Sequence, residues 1–471
     1  MQRPIRLIFF ACLLGLLLPP LSAAAASRMY IGFQDDPSFR FREPREANLN
    51  EAQRAAGTIV RTQVTWSRVA FNRPSNATNP FDPAYELSDV DELIRNAQRR
   101  GMEVLLSIYG TPAWANGNEK ANRAPTRMSD LTDFARALAS RYSGRFAGYP
   151  YVRFYSVWNE PNLAQFLSPQ FSSSGASLAP AIYARLYRAA YTGIKAGNSR
   201  AVVGIGETSA RGHDKPTTVV QHSHSPGKFA QLVAKADPNL RFDGWAEHPY
   251  PFTPSQPPTA RVRLPNVSLT QLPEFQKIVD KAFGRKDTPI WVTEYSHETR
   301  PEEPKGVSYG TQTAYARQAL NIAKGYSFVP IFIWFVLRDD PSNPWQSGLL
   351  RENGARKPSF GPFSAAAKLL DARNAIVYVK AGKPNPLVRV SVLELAGRSG
   401  TGTRLGVTYK VIFKKTVVDV RQPAPLIDSD GWVTLKLRFT PAAGRSYRMT
   451  VDAGDASNNH VARALTLVSV R

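Results

Sequence analysis

The chain has 471 residues, enough for one large domain with a substantial hydrophobic core and a smaller second domain. It contains a single cysteine, Cys12, which excludes a disulfide scaffold and a thiolate metal cluster. The formal net charge is +23, but the basic residues are spread along the chain without a long run or a basic-aromatic module, so we expect no nucleic-acid partner.

The segment 1–26 has the pattern of a secretory signal peptide. Arg3 and Arg6 precede an apolar run over 7–18, which is followed by two prolines and the small-residue stretch LSAAAAS. The apolar run is much shorter than the ~20 residues that a membrane-spanning helix needs. We therefore predict a secreted protein, extracellular or associated with the cell wall, with no membrane span in the mature chain. Since Cys12 belongs to this segment, the mature chain would have no thiol for a nucleophile or a metal ligand.

Eight short apolar runs follow in chain order, each separated from the next by a helical pattern. The runs cover 29–34, 58–66, 103–109, 153–159, 201–207, 242–248, 289–295 and 330–336. The helical patterns between them include 86–100, 130–145, 181–196, 271–283 and 311–324, with Ser88 and Ser129 as predicted capping residues. Strands that alternate with helices form a parallel sheet, and eight such units close into a barrel. Because no Gly-rich phosphate loop follows the first run, we predict a (β/α)8 TIM barrel over 27–373 and not a dinucleotide-binding sheet.

The pattern changes after about residue 374. Alternating strand-like runs, such as VRVSVLEL and WVTLKLRF, are separated by turn sequences such as RSGTGT and IDSDG, and we find no convincing helix among them. This pattern predicts a β-sandwich accessory domain over 374–471, with an Ig-like topology as the best match.

Two glutamates lie at the ends of predicted barrel strands. The fourth run leads into Asn159 and Glu160, and the seventh contains Glu294. Functional groups of such barrels lie at the carboxyl ends of the strands, so these two side chains are expected to meet at the barrel mouth. A pair of carboxyl groups is what glycosidic bond cleavage requires, and a separation of about 5 to 5.5 Å would correspond to retention of anomeric configuration.

The motifs around these glutamates resemble a known group of enzymes. VWNEPN in the fourth run and VTEYS in the seventh are similar to the signatures of clan A glycoside hydrolases, the 4/7 superfamily. Together with GTPAW after the third run, they are most similar to family 39 and next to family 5, over roughly 29–370. The resemblance implies a retaining hydrolase of a polysaccharide or oligosaccharide, with Glu160 as the acid/base, Glu294 as the nucleophile and Asn159 bonded to the sugar 2-hydroxyl.

Other residues near the strand ends are candidate substrate-binding groups. Similar His-x-Tyr positions in clan A line the subsite around the nucleophile, which implies this place for His248 and Tyr250. Trp334 resembles the tryptophan beneath the sugar ring. The alternative for each of these three is a place in the core. Arg61 would reach the nucleophile or form a structural ion pair, and the remaining stacking candidates are Trp66, Tyr109 and Trp114. In the long loop 338–350, the candidate substrate contacts are Arg338, Asp339, Asp340 and Trp345.

Two further features are weaker candidates for a functional role, one as a catalytic residue and one as a metal site. Glu207 also ends a run, the fifth, but that strand does not oppose the fourth across the mouth, so a sugar-hydroxyl contact is the better interpretation. His213, His222 and His224 are spaced irregularly for a metal site. We expect no metal and no organic cofactor.

Two alternatives to hydrolysis are compatible with the same residues. A catalytically inert carbohydrate-binding surface protein would bind sugars without turnover, and a transglycosylase would use the same glutamates with a different acceptor. The positive charge would favour an anionic or cell-wall polysaccharide, although it could also serve only solubility.

Overall fold

The computed structural model of the chain describes residues 29–470, except 147–148, 219, 344, 369, 371–375, 393–394, 397–398, 429–430 and 459. The predicted signal peptide over 1–26 and the predicted domain junction at 373/374 lie outside the described residues. Within the described part of the chain, no helix is both long and apolar enough to cross a membrane.

The first eight strands form a closed parallel barrel. They are β1 (Tyr30–Gln34), β2 (Ile59–Thr65), β3 (Glu103–Tyr109), β4 (Phe154–Val157), β5 (Val202–Ser209), β6 (Gly244–His248), β7 (Ile290–Tyr295) and β8 (Ile331–Phe335). Each strand pairs with its neighbours in sequence, and β8 returns to pair with β1. All eight predicted strands are therefore present, and the predicted TIM barrel is confirmed.

Helices connect the strands and surround the barrel. They are α1 (Arg45–Arg54), α2 (Trp66–Val69), α3 (Ser88–Arg99), α4 (Ala113–Asn116), α5 (Met128–Arg141), α6 (Ala179–Gly197), α7 (Pro226–Ala236), α8 (Leu272–Phe283), α9 (Tyr309–Lys324) and α10 (Phe360–Lys368). The predicted caps were wrong, because Ser88 and Ser129 lie inside the first turns of α3 and α5 and make no side-chain cap there. Ser308 does cap α9, since its hydroxyl accepts a hydrogen bond from the amide of Thr311 at 3.1 Å.

The lower part of the barrel interior is filled by apolar side chains. Ile59, Leu105, Phe154 and Trp291 belong to one buried cluster, separate from the larger core between the strands and the helices. Trp291 fits there because two neighbouring strands carry glycine. A Cβ atom at Gly204 would lie 2.6 Å from the Trp291 indole, and one at Gly244 would lie 2.3 Å from it.

Two barrel strands contain an extra residue relative to their neighbours. In β5, Gly206 and Thr208 pair with consecutive residues of β6, so Glu207 is inserted between them. In β7, Val292 and Tyr295 pair with residues of β8 that are only two positions apart. Such bulges shift the alternation of side chains between the two faces of a strand, and they change the direction of the residues at the barrel mouth.

The C-terminal part is all β. Its strands are β9 (Ile376–Lys380), β10 (Leu387–Ser391), β11 (Gly406–Phe413), β12 (Thr416–Arg421), β13 (Trp432–Lys436), β14 (Ser446–Gly454) and β15 (His460–Val470). The strands β10 and β13 form one sheet, and the order β12-β11-β14-β15-β9 forms the other. Val390 and Leu435 from the first sheet share one hydrophobic cluster with Val411 and Met449 from the second. The two sheets therefore pack as a sandwich, while the Ig-like topology stays a prediction.

Candidate active site

A cavity of about 1160 Å³ lies at the carboxyl ends of the barrel strands. Glu160 and Glu294 both line it, together with Asn159, which precedes Glu160. The structure thus brings the two predicted catalytic glutamates to one cavity, at the face where barrels of this kind carry their functional groups.

The two glutamates are close enough to act on one bond. A carboxylate oxygen of Glu160 and one of Glu294 lie within 4.8 Å of each other, and a ring nitrogen of His248 lies within the same distance of both. Their side chains are 14% and 10% exposed, so each is mostly buried while it still reaches the cavity. A separation this short leaves no room for a water molecule between the two carboxylates.

The backbone turns sharply to present Glu160. Glu160 has a φ of 38° and Trp158 a φ of 76°, both in the left-handed region that non-glycine residues seldom adopt. The amide of Glu160 donates a 2.8 Å hydrogen bond to the carbonyl of Glu207 in β5. A main-chain hydrogen bond therefore joins the segment that follows β4 to β5.

Arg61 lies at the centre of a buried ionic network and is itself completely buried. Its guanidinium donates to Glu294 at 2.6 Å, to Glu207 at 2.8 Å and to Asn159 at 3.1 Å. Its Nε donates to Ser107 at 3.0 Å, and it also contacts Gln34. Arg61 therefore has both of the roles that the sequence offered as alternatives. It contacts Glu294, and it also forms a buried ion pair with Glu207.

His248 connects the glutamates from the other side. Its Nδ1 lies 3.0 Å from Glu160 Oε1 and 3.7 Å from Glu294 Oε2, and its Nε2 lies 2.9 Å from Glu207 Oε2. Burial alone would lower the pKa of His248, but the charge of Glu294 and the hydrogen bonds with Glu160 and Glu207 raise it to about 10. His248 is therefore an imidazolium at neutral pH, and both ring nitrogens donate.

Glu207 is more central than the sequence analysis expected. It is completely buried, and it bonds to Arg61 and His248 and not to the cavity. Burial alone would raise the pKa of Glu207, but the Arg61 guanidinium and the hydrogen bond from His248 lower it to about 2. The expectation that Glu207 contacts a sugar hydroxyl is therefore not met, because its carboxylate is completely buried and does not line the cavity.

Tyr250 lies where the resemblance implied. Its hydroxyl donates a 3.0 Å hydrogen bond to Glu294 Oε2, and its ring lines the cavity. The ring of Trp345, from the loop after β8, contacts it with the centroids 5.0 Å apart. Glu294 thus receives hydrogen bonds from Arg61 on one oxygen and from Tyr250 on the other, and these fix the orientation of its carboxylate.

Trp334 does not lie under the cavity. It is completely buried, packs against Phe363 of α10 with ring centroids 5.7 Å apart, and donates its indole N–H to the carbonyl of Ser347. Side chains alternate along a strand, so Ile331, Ile333 and Phe335 face the barrel interior while Trp334 faces the helices. The aromatic residue of β8 that lines the cavity is therefore Phe335, which the alternation of β8 could have identified.

The other predicted stacking residues also lie apart from the cavity. Trp66 is completely buried and stacks on Phe134 of α5, with ring centroids 5.4 Å apart. Tyr109 and Trp114 are half-buried and do not line the cavity; Trp114 donates its indole N–H to the carbonyl of Ala70. Trp66, Tyr109 and Trp114 therefore stabilise the loops of the mouth, and Trp345 is the predicted tryptophan that reaches the cavity.

The three histidines of the loop after β5 are not gathered as a metal-binding group among the described residues. His224 is bonded to Gln170 at 2.7 Å and to Ser177 at 2.9 Å, and it stacks on Phe171. Burial lowers its pKa to about 4, so it is neutral at physiological pH. His224 thus has a structural role in holding this loop.

Comparisons with known proteins agree with this architecture. The family model described as cellulase (glycosyl hydrolase family 5) matches residues 37–336. No curated protein sequence matches the chain significantly.

Many solved structures share the fold. A family 39 glycoside hydrolase from Bacteroides cellulosilyticus WH2 is 19% identical, with a TM-score of 0.52 over 88% of this chain and 80% of that one. A glucosidase from Croceicoccus marinus is 13% identical, with a TM-score of 0.54 over 88% and 94%. A GH5_18 protein from Streptomyces cattleya is 16% identical, with a TM-score of 0.50 over 76% and 85%. At these identities the likeness concerns the fold alone.

Proposed function

Since this chain belongs to the cellulase family, glycosyl hydrolase family 5, and is a glycosidase that acts on a carbohydrate, we propose that it cleaves its substrate with retention of anomeric configuration, with Glu294 as the nucleophile and Glu160 as the acid/base. The observation that carries this proposal is the approach of the two carboxylates to within 4.8 Å across one cavity. Inverting enzymes instead need about 6.5 to 9.5 Å, so that a water can lie between the groups.

The proposed reaction has two displacements. In the first, the Glu294 carboxylate attacks the anomeric carbon while Glu160 donates its proton to the leaving oxygen, which produces a covalent glycosyl ester and a free alcohol. In the second, the Glu160 carboxylate removes a proton from a water that attacks the same carbon, and the Glu294 ester bond breaks. Arg61 and Tyr250 hold the Glu294 oxygens in place through both steps.

The test uses pairs of aryl glycosides that differ only in the leaving group. Glu294→Gln should lower kcat/KM by at least about 10⁴-fold on every substrate, because the nucleophile is removed. Glu160→Ala should lower it by about 10² to 10⁴-fold for a phenyl glycoside and much less for a 2,4-dinitrophenyl glycoside, which leaves without protonation.

Product stereochemistry and a surface control complete the test. NMR of the first product should show the anomeric configuration of the substrate, and Glu352→Gln, on an exposed residue, should behave as wild type. An inverted product, or equal activity of Glu294→Gln and wild type, would contradict the proposal. Transfer of the glycosyl unit to an added alcohol, with no hydrolysis, would identify a transglycosylase.

We propose that the glycosyl unit bound in the cavity is neutral. Asp35, Asp36 and Glu298 line the cavity in addition to the two catalytic glutamates, whereas Arg211 is the one lysine or arginine among the described lining residues. Burial raises the pKa of Asp35 and of Glu298 to about 7, so these two carboxyls are only partly ionised at neutral pH and the excess of negative charge is modest. An anionic sugar would be repelled by this surface, so the lining does not favour the anionic substrate that the net charge suggested. Matched aryl glucosides and glucuronides test this, and a preference for the glucuronide would contradict it.

Secretion stays part of the proposal and rests on the sequence pattern of residues 1–26. The expected mature N-terminus lies close to residue 27. Mass spectrometry of the protein recovered outside the cytoplasm of a bacterial host would test this, and an intact N-terminus would contradict it.

A further inference from the structure

Glu207 is a buried carboxylate that enters no step of the proposed reaction. It sits in the bulge of β5 with a φ of 51°, again in the left-handed region. Gly204 faces the barrel interior beside Trp291, so regular alternation along β5 would point residue 207 away from the interior. The bulge instead places Glu207 inside and Thr208 on the outer face, where Thr208 bonds to Trp245 and Glu247. The bulge therefore brings a charged group into a position where a regular strand would place none.

The contacts of Glu207 come from several strands. Its Oε2 accepts from Arg61 of β2 at 2.8 Å, from His248 of β6 at 2.9 Å and from Thr293 of β7 at 3.0 Å. Ser107 of β3 lies 3.4 Å from Oε1, and Ser156 of β4 also bonds to the carboxylate. These five side chains are the polar groups that face Glu207, and two of them are cationic.

The two cationic partners each hold one catalytic glutamate. Arg61 donates to Glu294 at 2.6 Å, and His248 donates to Glu160 at 3.0 Å. Two cations that share a completely buried site repel each other unless an anion lies between them. The Glu207 carboxylate is that anion, and its Oε2 accepts hydrogen bonds from Arg61 and from His248.

We infer that Glu207 is a positioning residue that couples the two catalytic carboxylates, by holding Arg61 against the nucleophile and His248 against the acid/base. This inference rests on the proposed function. It predicts that a change at Glu207 disturbs both halves of the catalytic pair, although Glu207 has no contact with the cavity.

The test compares Glu207→Gln with Glu247→Gln. Glu247 is the matched control because it is equally buried but faces the other side of β6, where it accepts a hydrogen bond from the Thr208 hydroxyl. Burial raises the pKa of Glu247 well above its usual value, which favours the neutral acid, and glutamine is the neutral isostere of that form. Glu207→Gln removes a charge, whereas Glu247→Gln does not.

Two readouts distinguish positioning from folding. For a dinitrophenyl glycoside kcat/KM reports the first displacement, which needs the nucleophile but no proton from Glu160, so Glu207→Gln should lower kcat/KM about 10-fold. A phenyl glycoside needs both the nucleophile Glu294 and the proton from Glu160, so kcat/KM on it should fall about 10²-fold or more. Equal losses on the two substrates, or the same losses in Glu247→Gln, would overturn the inference.

The second readout needs no turnover. The chain has six histidines, so ¹⁵N labelling of the imidazoles can follow the titration of His248. In Glu207→Gln the pKa of His248 should fall by about 1 to 3 units, because one of its anionic partners is gone, and in Glu247→Gln it should stay. An unchanged titration would overturn the coupling even if every glycoside proved inert, which separates this inference from the proposed function.

If Glu207→Gln does not fold, Glu207→Asp serves in its place. The charge remains, but the side chain is one methylene shorter and cannot reach Arg61 and His248 together. It should lower kcat/KM on the phenyl glycoside by about 10-fold, with a smaller loss on the dinitrophenyl glycoside. Wild-type kinetics in this variant would overturn the inference.

Discussion

Two successive layers of the barrel interior have opposite chemistry. In four strands, the inward residue of the lower layer is apolar and the next inward residue, two positions later, is polar: Ile59 and Arg61, Leu105 and Ser107, Phe154 and Ser156, and Trp291 and Thr293. Both layers are completely or almost completely buried. The same barrel strands therefore surround an apolar layer and, directly above it, a layer that contains the ionic network.

The contrast shows how the charges can be buried. The apolar layer closes the lower end of the barrel, so the ionic layer meets solvent only through the cavity. With little water to screen them, buried charges interact strongly, and each one is stable only with partners. We therefore expect the lower layer to control stability alone and the upper layer to control stability and activity together.

The largest effect should come from removing the central cation of the upper layer. Arg61→Met leaves Glu207 and Glu294 without their shared partner, which should cost about 3 to 5 kcal/mol in the free energy of unfolding. Activity should fall by about 10³-fold or more, because Glu294 loses its positioning donor. Urea denaturation and kinetics on the same preparation measure both, and a stable variant with normal turnover would contradict the ionic role of this layer.

The matching change in the lower layer is Trp291→Ala. It empties the space enclosed by Gly204 and Gly244, so the free energy of unfolding should again fall by about 3 to 5 kcal/mol. Well below the melting temperature, kcat/KM should stay within about 10-fold of wild type. If turnover fell as far as in Arg61→Met, the two layers would not be separable.

The pH dependence of stability sharpens the comparison further. The pKa of His248 is raised to about 10 in the folded state, so its contribution is complete below pH about 6.5 and is lost as the pH rises through 10. The difference in the free energy of unfolding between wild type and His248→Asn should therefore be largest in mild acid and should shrink by at most about 1.4 kcal/mol per pH unit above pH 6.5. A difference that stays constant from pH 6 to 10 would show that His248 is not ionised in the fold.

The smallest effect concerns the rim of the upper layer. Phe335→Ala removes an aromatic ring from the cavity wall and should lower kcat/KM about 10-fold, mainly through KM, because about 1.4 kcal/mol of sugar contact is lost. Trp334→Phe, one position earlier on the opposite face of β8, should leave KM unchanged. A raised KM in Trp334→Phe together with an unchanged KM in Phe335→Ala would show that Trp334, and not Phe335, contacts the sugar.

Much of this architecture could be predicted from the amino-acid sequence. The eight apolar runs predicted the eight strands, because a buried parallel strand requires a continuous local run of hydrophobic residues. The resemblance to clan A glycoside hydrolases is confirmed, although the family that matches is family 5, which the motifs placed second to family 39. Arg61, His248 and Tyr250 were expected close to the glutamates, and the structure places them there.

The errors concern the direction in which side chains point. Trp66 and Trp334 are aromatic residues near strand ends, a property that the sequence displays, but they face the core, which depends on the phase of alternation. Phe335 was overlooked for the same reason. The importance of Glu207 was underestimated because an extra residue in β5 changes that phase, and the bulge is defined only by pairing with β6.

The sequence by itself determined the number and order of the strands, and it identified the glutamate that follows β4 and the glutamate near the end of β7, because local hydrophobic runs and short motifs carry these features. Only the tertiary structure decided that Glu160, Glu207 and Glu294 share two cationic partners, since that sharing joins residues from five strands whose register no local pattern encodes. The physical reason is that a buried charge is stable only beside its counter-charges, and these come together when the barrel closes.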